Sequence, residues 1–376
     1  MMNKNLLKSS FDRLIYARKY HQQKQGYQLL VDRMKKTIPI DHSMFPQKLV
    51  DEYREKWSPI ASRFSLDFFK LYSSNNGIVD TNYVPDHLYD FPMKHILLNT
   101  RYSINHDDKN SYENRLRDFK SLFPEVLFRK ICGVFYTPDY DYTSNISKLL
   151  NEINEESIVV KDSVDSAGGK GVCFFTRNQD SGAFINSEGI DIITWMSGRK
   201  DIVAQSVAKQ SSFFDELNSS SINTFRIVTY RSVTDEKVSV TQSLLRVGSQ
   251  GSRVDNWHSG GLIIGIQANG SFCDHGFNEQ FEKVAFPLGG MKVPLLEKIH
   301  NIAIDISKTQ LYHRQISYDF YIDETDNVRI MEINYSVSPV IQLITGPAFG
   351  KYTNEVIDYC ANNKGYLLTV FPVSTR

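Results

Sequence analysis

The sequence predicts an α+β chain, with a mainly helical N-terminal region followed by a mainly antiparallel β part. Three observations carry that expectation. Residues 1 to about 75 hold few glycines and many Lys, Gln and Leu. After Ser157 the texture changes to short β-rich runs, among them SIVVK, GVCFFT, DIVAQSV, TFRIVTYRSV, KVSVTQSLLRV, GLIIGIQA, SYDFYID and NVRIMEIN, separated by turn residues. Two helical stretches interrupt those runs, near 292–312 and 349–363. At 376 residues the chain is long for one core and suggests two or three lobes, the first a helical or mixed region at 1–125.

Residues 1–36 carry nine basic side chains (Lys4, Lys8, Arg13, Arg18, Lys19, Lys24, Arg33, Lys35, Lys36) against Asp12 and Asp32, and Leu7, Phe11, Leu14 and Ile15 recur at helical spacing. Such a basic amphipathic helix either touches an anionic membrane face weakly or packs its apolar stripe on its own domain. SSNNG at 73–77 signals a loop, and residues 80–125 mix short helices with loops. Within them DDKNSYENRLRDFKSLFP reads as one capped helix ending near Pro124. TPDYDYTS at 137–144 is a break, and NISKLLNEIN a helix.

Composition excludes more than it suggests. Lys+Arg and Asp+Glu are both 43, so net charge gives no support for a nucleic-acid partner. Cys132, Cys173, Cys273 and Cys360 show no CxxC or Cys/His spacing, hence neither a zinc site nor a disulfide framework. The start has no apolar leader-like run and no stretch approaches a membrane span, so a cytoplasmic chain is expected.

VVKDSVDSAGGKGVCFF, Val159 to Phe175, is the first candidate site. Glycine lets backbone N–H groups approach and converge on phosphate oxygens. A P-loop needs Ser or Thr after its lysine, and a dinucleotide fingerprint opens a helix. Here Gly171 follows Lys170, and Val172, Cys173 and Phe174 begin a β-like run. The stretch from Ser166 through Ala167, Gly168, Gly169 and Lys170 to Gly171 therefore joins two strands, either as a flap over phosphates or as a plain hairpin turn. Lys161 closes the first strand and would place a charge on phosphates beneath.

YDFYIDETDNVRIMEIN, Tyr318 to Asn334, is the second. A two-residue turn at Thr325-Asp326 sets Asp319 opposite Glu332; one residue later, at Asp326-Asn327, it sets Asp319 opposite Asn334. Either register puts all three on one face, because side chains alternate along a strand. An odd-length loop would break this. Opposed like charges lie about 5 Å apart at Cβ and destabilise a sheet unless compensated. Two carboxylates and an amide oxygen suit Mg²⁺, the alternative being solvated surface acids. Arg226 in NTFRIVT and Arg246 in LLRVG each interrupt an apolar run, and are either phosphate or carboxylate contacts or structural ion pairs.

Together the flap, the lysine and the acids resemble the ATP-grasp superfamily. Asp319, Glu332 and Asn334 match its D-x(12)-E-x-N metal signature. INTFRIVTYRS, LLRVGSQGSRVDNWHSGGLIIGI and EINYSVSPVIQ, with DDKNSYENRL and RKICGVFYTPDYDY upstream, resemble its branch associated with sugar transfer and polysaccharide biosynthesis, over roughly Asp107 to Pro347. The resemblance implies the ATP-grasp fold, two α+β subdomains gripping ATP, with Lys161 on the phosphates and residues 166–171 leading into Val172 as the cover. It implies that VAQSV, Val203 to Val207, meets adenine through Gln205, Ser206 and Val207, and that Asp319, Glu332 and Asn334 hold one or two Mg²⁺. Gln205 stands where many relatives carry an acid. For the second nucleotide lysine the choices are Arg129 and Lys130.

The activity this resemblance implies is ATP-dependent joining of a carboxylate to an amine through an acylphosphate. The expected product is an amide between an amino acid or amine and a sugar acid, in surface polysaccharide assembly. Alternatives are a phosphotransferase on a sugar-related substrate, or a nucleotide-binding partner protein without turnover. Arg246 is expected near the γ-phosphate or acylphosphate and Arg226 near the acceptor or an acid. Asn256 and His258, in VDNWHSGG, would meet substrate, His258 as a general base or as a structural histidine. DKNSY, Asp108 to Tyr112, either positions the N-terminal part against the ATP lobe or caps a helix.

Overall fold

The computed structural model describes residues 26–164, 171–251, 257 and 260–364. Two seven-stranded sheets form its frame, each antiparallel throughout. The first contains β1 (Val126–Ile131), β2 (Val134–Tyr136), β3 (Tyr142–Thr143), β4 (Ser157–Asp162), β5 (Val172–Arg177), β6 (Phe184–Ile185) and β7 (Ile202–Ser206), in the order β3-β2-β1-β7-β4-β5-β6. The second contains β8 (Thr224–Arg231), β9 (Val238–Val247), β10 (Leu262–Ile266), β11 (Phe272–Phe277), β12 (Lys283–Ala285), β13 (Gln315–Ile322) and β14 (Val328–Asn334), in the order β12-β11-β10-β9-β8-β13-β14.

Alternation along each strand splits each sheet into an apolar face and a face of mixed character. In the first sheet Phe128, Ile158, Val160, Phe175, Ile202 and Ala204 bury against Leu149 and Leu150 of the helix Ile146–Glu152 and against Ile192 and Met196. Arg129, Lys161 and Val203 lie cross-strand from one another on the other face. In the second sheet Phe225, Ile227, Leu245, Phe320 and Ile330 pack on Ile299, Ala303 and Ile306 of the helix Leu296–Thr309. Each such buried side chain contributes about 1.5–3 kcal/mol of transfer free energy.

The opposite face of the second sheet is shared. Val228, Tyr230 and Leu244 are covered by Tyr53, Trp57, Phe68 and Phe69 of the N-terminal helical region and by Val356 and Ile357 of the helix Thr353–Asn362. Beyond that cover the same face carries Arg226, Arg246 and Asp319. The described N-terminal helices therefore share one core with that face of the second sheet, beside the stretch that bears the acids.

Some local expectations are corrected. Residues 107–124 are not one capped helix but a 3-10 turn (Lys109–Ser111), one α-turn (Tyr112–Arg115) and a second 3-10 stretch (Arg117–Leu122), broken where Leu116 leaves helical geometry at φ −121°, ψ 48°. Strands β1–β3, β6, β11 and β12 were not expected, and TPDYDYTS contributes β3; most of them are too short to show alternation. The apolar stripe Leu7, Phe11, Leu14 and Ile15 lies outside the described residues. Among the described residues no helix is long and apolar enough to cross a membrane.

Candidate active site between the two sheets

The acids come from the β13–β14 hairpin. Its turn has three residues, Glu324 to Asp326, closed by Asp323 N–H donating to the Asn327 carbonyl at 2.8 Å, with Asp326 at φ +58°. The Asp323 carboxylate accepts from the Thr325 and Asn327 amides at 3.0 and 2.9 Å. An odd loop continued regularly would set Met331 opposite Asp319. The ladder instead shifts between Asp319 and Phe320, so that Phe320 pairs with Ile330 but Asp319 with Glu332 and Ser317 with Asn334. The extra residue, Met331, is a β-bulge, and bulges re-aim side chains in this way.

Asp319 is almost fully buried, its side chain 5% exposed. Its two oxygens accept from Arg226 Nε and Nη2 at 2.9 and 2.7 Å, a fork-to-fork pair between cross-strand neighbours. Arg246 Nη1 and Asn334 Nδ2 add donations at 3.2 and 3.0 Å. Burial works to raise its pKa, but the two guanidiniums and the Asn334 amide hold it below the ordinary carboxylate value. Glu332 is more open, at 28% exposure, and its Oε1 sits 2.7 Å from Lys109 Nζ.

The first sheet contributes Lys161, at the end of β4. Its ammonium is buried and, among the described residues, donates to the bulged Met331 thioether at 3.6 Å and to no oxygen. Burial pushes its pKa down to about 8; Glu332 opposes that shift and Lys109 adds to it. Lys161 pairs with Val172 across the β4–β5 hairpin, so the glycine-containing loop does join two strands. Gly171 adopts φ +74°, and a Cβ there would meet Asp162 Oδ2 at 1.9 Å. That carboxylate is clamped by Arg199 Nη1 at 2.8 and 2.9 Å, and the guanidinium lies over the Trp195 ring at 3.9 Å. The root of the loop is thus fixed on both sides.

The structure therefore brings Lys161, Arg226, Arg246, Asp319, Glu332 and Asn334 to one place. Gln205 lies on the Lys161 face of β7 and donates to the Pro124 carbonyl at 3.3 Å; Ser206 Oγ donates to Glu155 at 2.9 Å, and Val207 follows directly. Lys130 does not join them. It sits on the helix-packed face, its ammonium donating to the Met196 carbonyl at 3.0 Å beside the Phe135 ring. Arg129 is on the Lys161 face but is wholly buried, paired with Glu113 and donating to the Asn110 carbonyl at 3.2 Å. Ser166, Ala167, Gly168, Gly169, Lys170, Asn256 and His258 lie outside the described residues. Lys109 is not singled out by the sequence, where DKNSY reads as a positioning segment or as a helix cap; the cap is present, the Asp108 carboxylate accepting from the Asn110 amide at 2.9 Å.

The donor set fits Mg²⁺ in kind: two carboxylates and an amide, with Glu332 open to one side. In charge it fits a metal bound with a polyanion better than a bare metal, since two carboxylates face four cations, Arg226, Arg246, Lys109 and Lys161.

A family model, sugar-transfer associated ATP-grasp, matches residues 96–357. The chain belongs to that family. No curated protein matches it. Among solved structures it is similar to the D-alanine-D-alanine ligase of Coxiella burnetii, at 10% identity over 70% of this chain and 59% of that one, TM-score 0.36. It is also similar to the N5-carboxyaminoimidazole synthetase of Staphylococcus aureus complexed with ADP, at 11% identity over 66% and 52%, TM-score 0.36. A third is the biotin carboxylase domain of Hydrogenobacter thermophilus 2-oxoglutarate carboxylase, with MgADP, at 11% over 70% and 46%, TM-score 0.38. The chain spans roughly half the length of such proteins.

Proposed function

We propose that this chain is an ATP- and Mg²⁺-dependent carboxylate–amine ligase, its two grips being residues 126–210 and 211–376. The observation that carries this reading is the bulged pairing of Asp319 with Glu332, faced by Lys161 from the other sheet. The family, defined as ATP-grasp and associated with sugar transfer, supports it. The proposed product is an amide between an amine or amino acid and a sugar acid, in surface polysaccharide assembly.

The proposed division of labour is supported by the carboxylate and cation pairs around Asp319. Asp319, Glu332 and Asn334 would hold Mg²⁺, which when bound neutralises phosphate charge and orients the transferring group. Lys161 offers a dry ammonium to the phosphates, and a charge in a dry site acts with less screening than one in water. Arg246 and Arg226 keep Asp319 ionised; displaced by metal, their forks would turn to the γ-phosphate or acylphosphate and to the acid substrate. Gly171 and Val172 anchor the flap from Ser166 to Lys170, and Gln205 to Val207 supply the adenine edge. Asn256 and His258 remain proposed for the acceptor side. The acid attacks the γ-phosphorus, ADP leaves, and the amine then displaces phosphate from the acylphosphate. No protein nucleophile is needed.

The test is ADP release from ATP with Mg²⁺ over panels of uronic acids and amino acids. The ligase reading expects release only with both an acid and an amine present. Release with a sugar alone, and a phosphorylated product, would mark a phosphotransferase. Tight nucleotide binding without release on any pair would mark a partner protein.

A further inference from the structure

We propose that Met331 is a reversible oxidation site: a peroxide that converts its thioether to a sulfoxide gives the Lys161 ammonium an oxygen partner and so weakens nucleotide binding. This rests on the nucleotide-binding reading above and adds to it a way in which the site is turned down.

Three observations carry it. Among the described residues the Met331 sulfur is the one acceptor of the buried Lys161 ammonium, at 3.6 Å. Met331 is also the extra residue of the β13–β14 bulge, set between Ile330, which pairs with Phe320, and Glu332, which pairs with Asp319, so it has no cross-strand partner of its own. And it is open to a small oxidant. Met331, Met44 and Met291 are partly exposed, whereas Met34, Met93 and Met196 are buried.

The chemistry balances. A sulfur lone pair attacks one peroxide oxygen, an S–O bond forms and the O–O bond breaks. The sulfur is oxidised, and the other oxygen is reduced and leaves as water with both protons. What changes is acceptor strength. A thioether accepts weakly, so it holds the ammonium loosely and yields it to a phosphate. A sulfoxide is polar and ends in an exposed oxygen. Carried on a sulfur 3.6 Å from Lys161 Nζ, that oxygen falls within ordinary hydrogen-bond reach of the same ammonium. Methionine is unbranched and turns about its terminal bonds, so the oxygen can be aimed there. A phosphate must then displace an oxygen rather than a sulfur. The fold loses little, because the new oxygen meets a cation. At Met34, Met93 or Met196 it would be placed among packed hydrocarbon instead.

Binding measurements test this without turnover. The full chain and its Met331→Leu variant are treated with dilute hydrogen peroxide. Peptide mass spectrometry locates the added oxygen, thermal melts check the fold, and calorimetry with ADP plus Mg²⁺ gives the affinity of each chain before and after. Oxidation at Met331 should weaken Mg·ADP binding by the wild type about tenfold, with little change in melting temperature. Reduction by the two methionine sulfoxide reductases, one for each epimer, should restore it. Met331→Leu, a swap that conserves volume, should show the same affinity before and after peroxide. Wild type that carries the oxygen at Met331 and keeps its affinity would overturn the proposal and leave the nucleotide site standing. So would an equal loss in Met331→Leu, or oxygen found at Met44 and Met291 but not at Met331. No Mg·ADP binding by the untreated wild type would remove the nucleotide reading together with the proposal.

Discussion

The two hairpins that meet at the site are built in opposite ways. β4–β5 keeps one regular register from Ser157–Thr176 to Lys161–Val172 and ends in a long glycine-containing connection. β13–β14 turns in three residues and breaks its register once, at Met331. The first brings a single lysine with almost no polar company; the second brings two acids, one of them held by three side chains. A carboxylate set is self-repelling and has to be pinned by partners before any ligand arrives. A lone ammonium needs only a dry seat beside the place its anion will occupy.

Asp319→Asn should separate the two hairpins most sharply. It leaves Arg226 and Arg246 facing a neutral amide in a buried setting, so stability should fall by about 3–5 kcal/mol in urea unfolding. Glu332→Gln, on the same hairpin, should abolish turnover at a cost of about 1 kcal/mol or less, because its pair with Lys109 is partly open to solvent. Equal losses from the two would erase the asymmetry between the acids.

Lys161→Met comes next. Mg·nucleotide affinity should fall roughly 10- to 100-fold, in line with losing a charge-assisted contact in a dry site, while stability should not drop. Burial lowers the folded-state pKa of Lys161 from 10.5 to about 8. Between those values the unfolded chain binds more protons than the folded one, so this lysine makes stability rise with pH across that window. The wild type should gain on Lys161→Met there, and its nucleotide affinity should weaken as pH rises through about 8. A flat difference between the two chains from pH 7 to 10 would contradict the seat described for this lysine.

Gly171→Ala should cost about 1–3 kcal/mol, from the left-handed backbone and the clash with Asp162. It should raise the apparent KM for ATP more than it lowers kcat, because the root of the glycine-containing loop moves while the acids do not. Smallest is Lys130→Met, on the far face of β1: Mg·nucleotide affinity should change less than twofold.

Much of the site was legible because its chemistry is local. Lys161 closes a β run, and Asp319, Glu332 and Asn334 follow a fixed spacing that strand alternation turns into a shared face. An even turn is not what places them on that face: an odd turn and a bulge cancel to the same result. Neither device has a signature in VRIMEIN. Lys109 was harder still, since it lies 223 positions from Glu332 and joins it only because Asn110 and Tyr112 fasten its segment across both sheets. The single helix read over 107–124 failed for the same reason, as tertiary hydrogen bonds replace helical ones there.

By itself the sequence determined the α+β class, the strand runs that alternate strongly, the hairpin around the glycine stretch and the identity of the acids, because period-two burial and turn chemistry act over a few residues. Only the tertiary structure decided which cations answer those acids. It turned Lys130 away, locked Arg129 on Glu113, set Arg226 and Arg246 on Asp319 and brought Lys109 to Glu332. It also laid the N-terminal helices over part of the acid-bearing face. Charge pairing and burial depend on distance in space, and a side chain's neighbours across two sheets are set by packing rather than by its place along the chain.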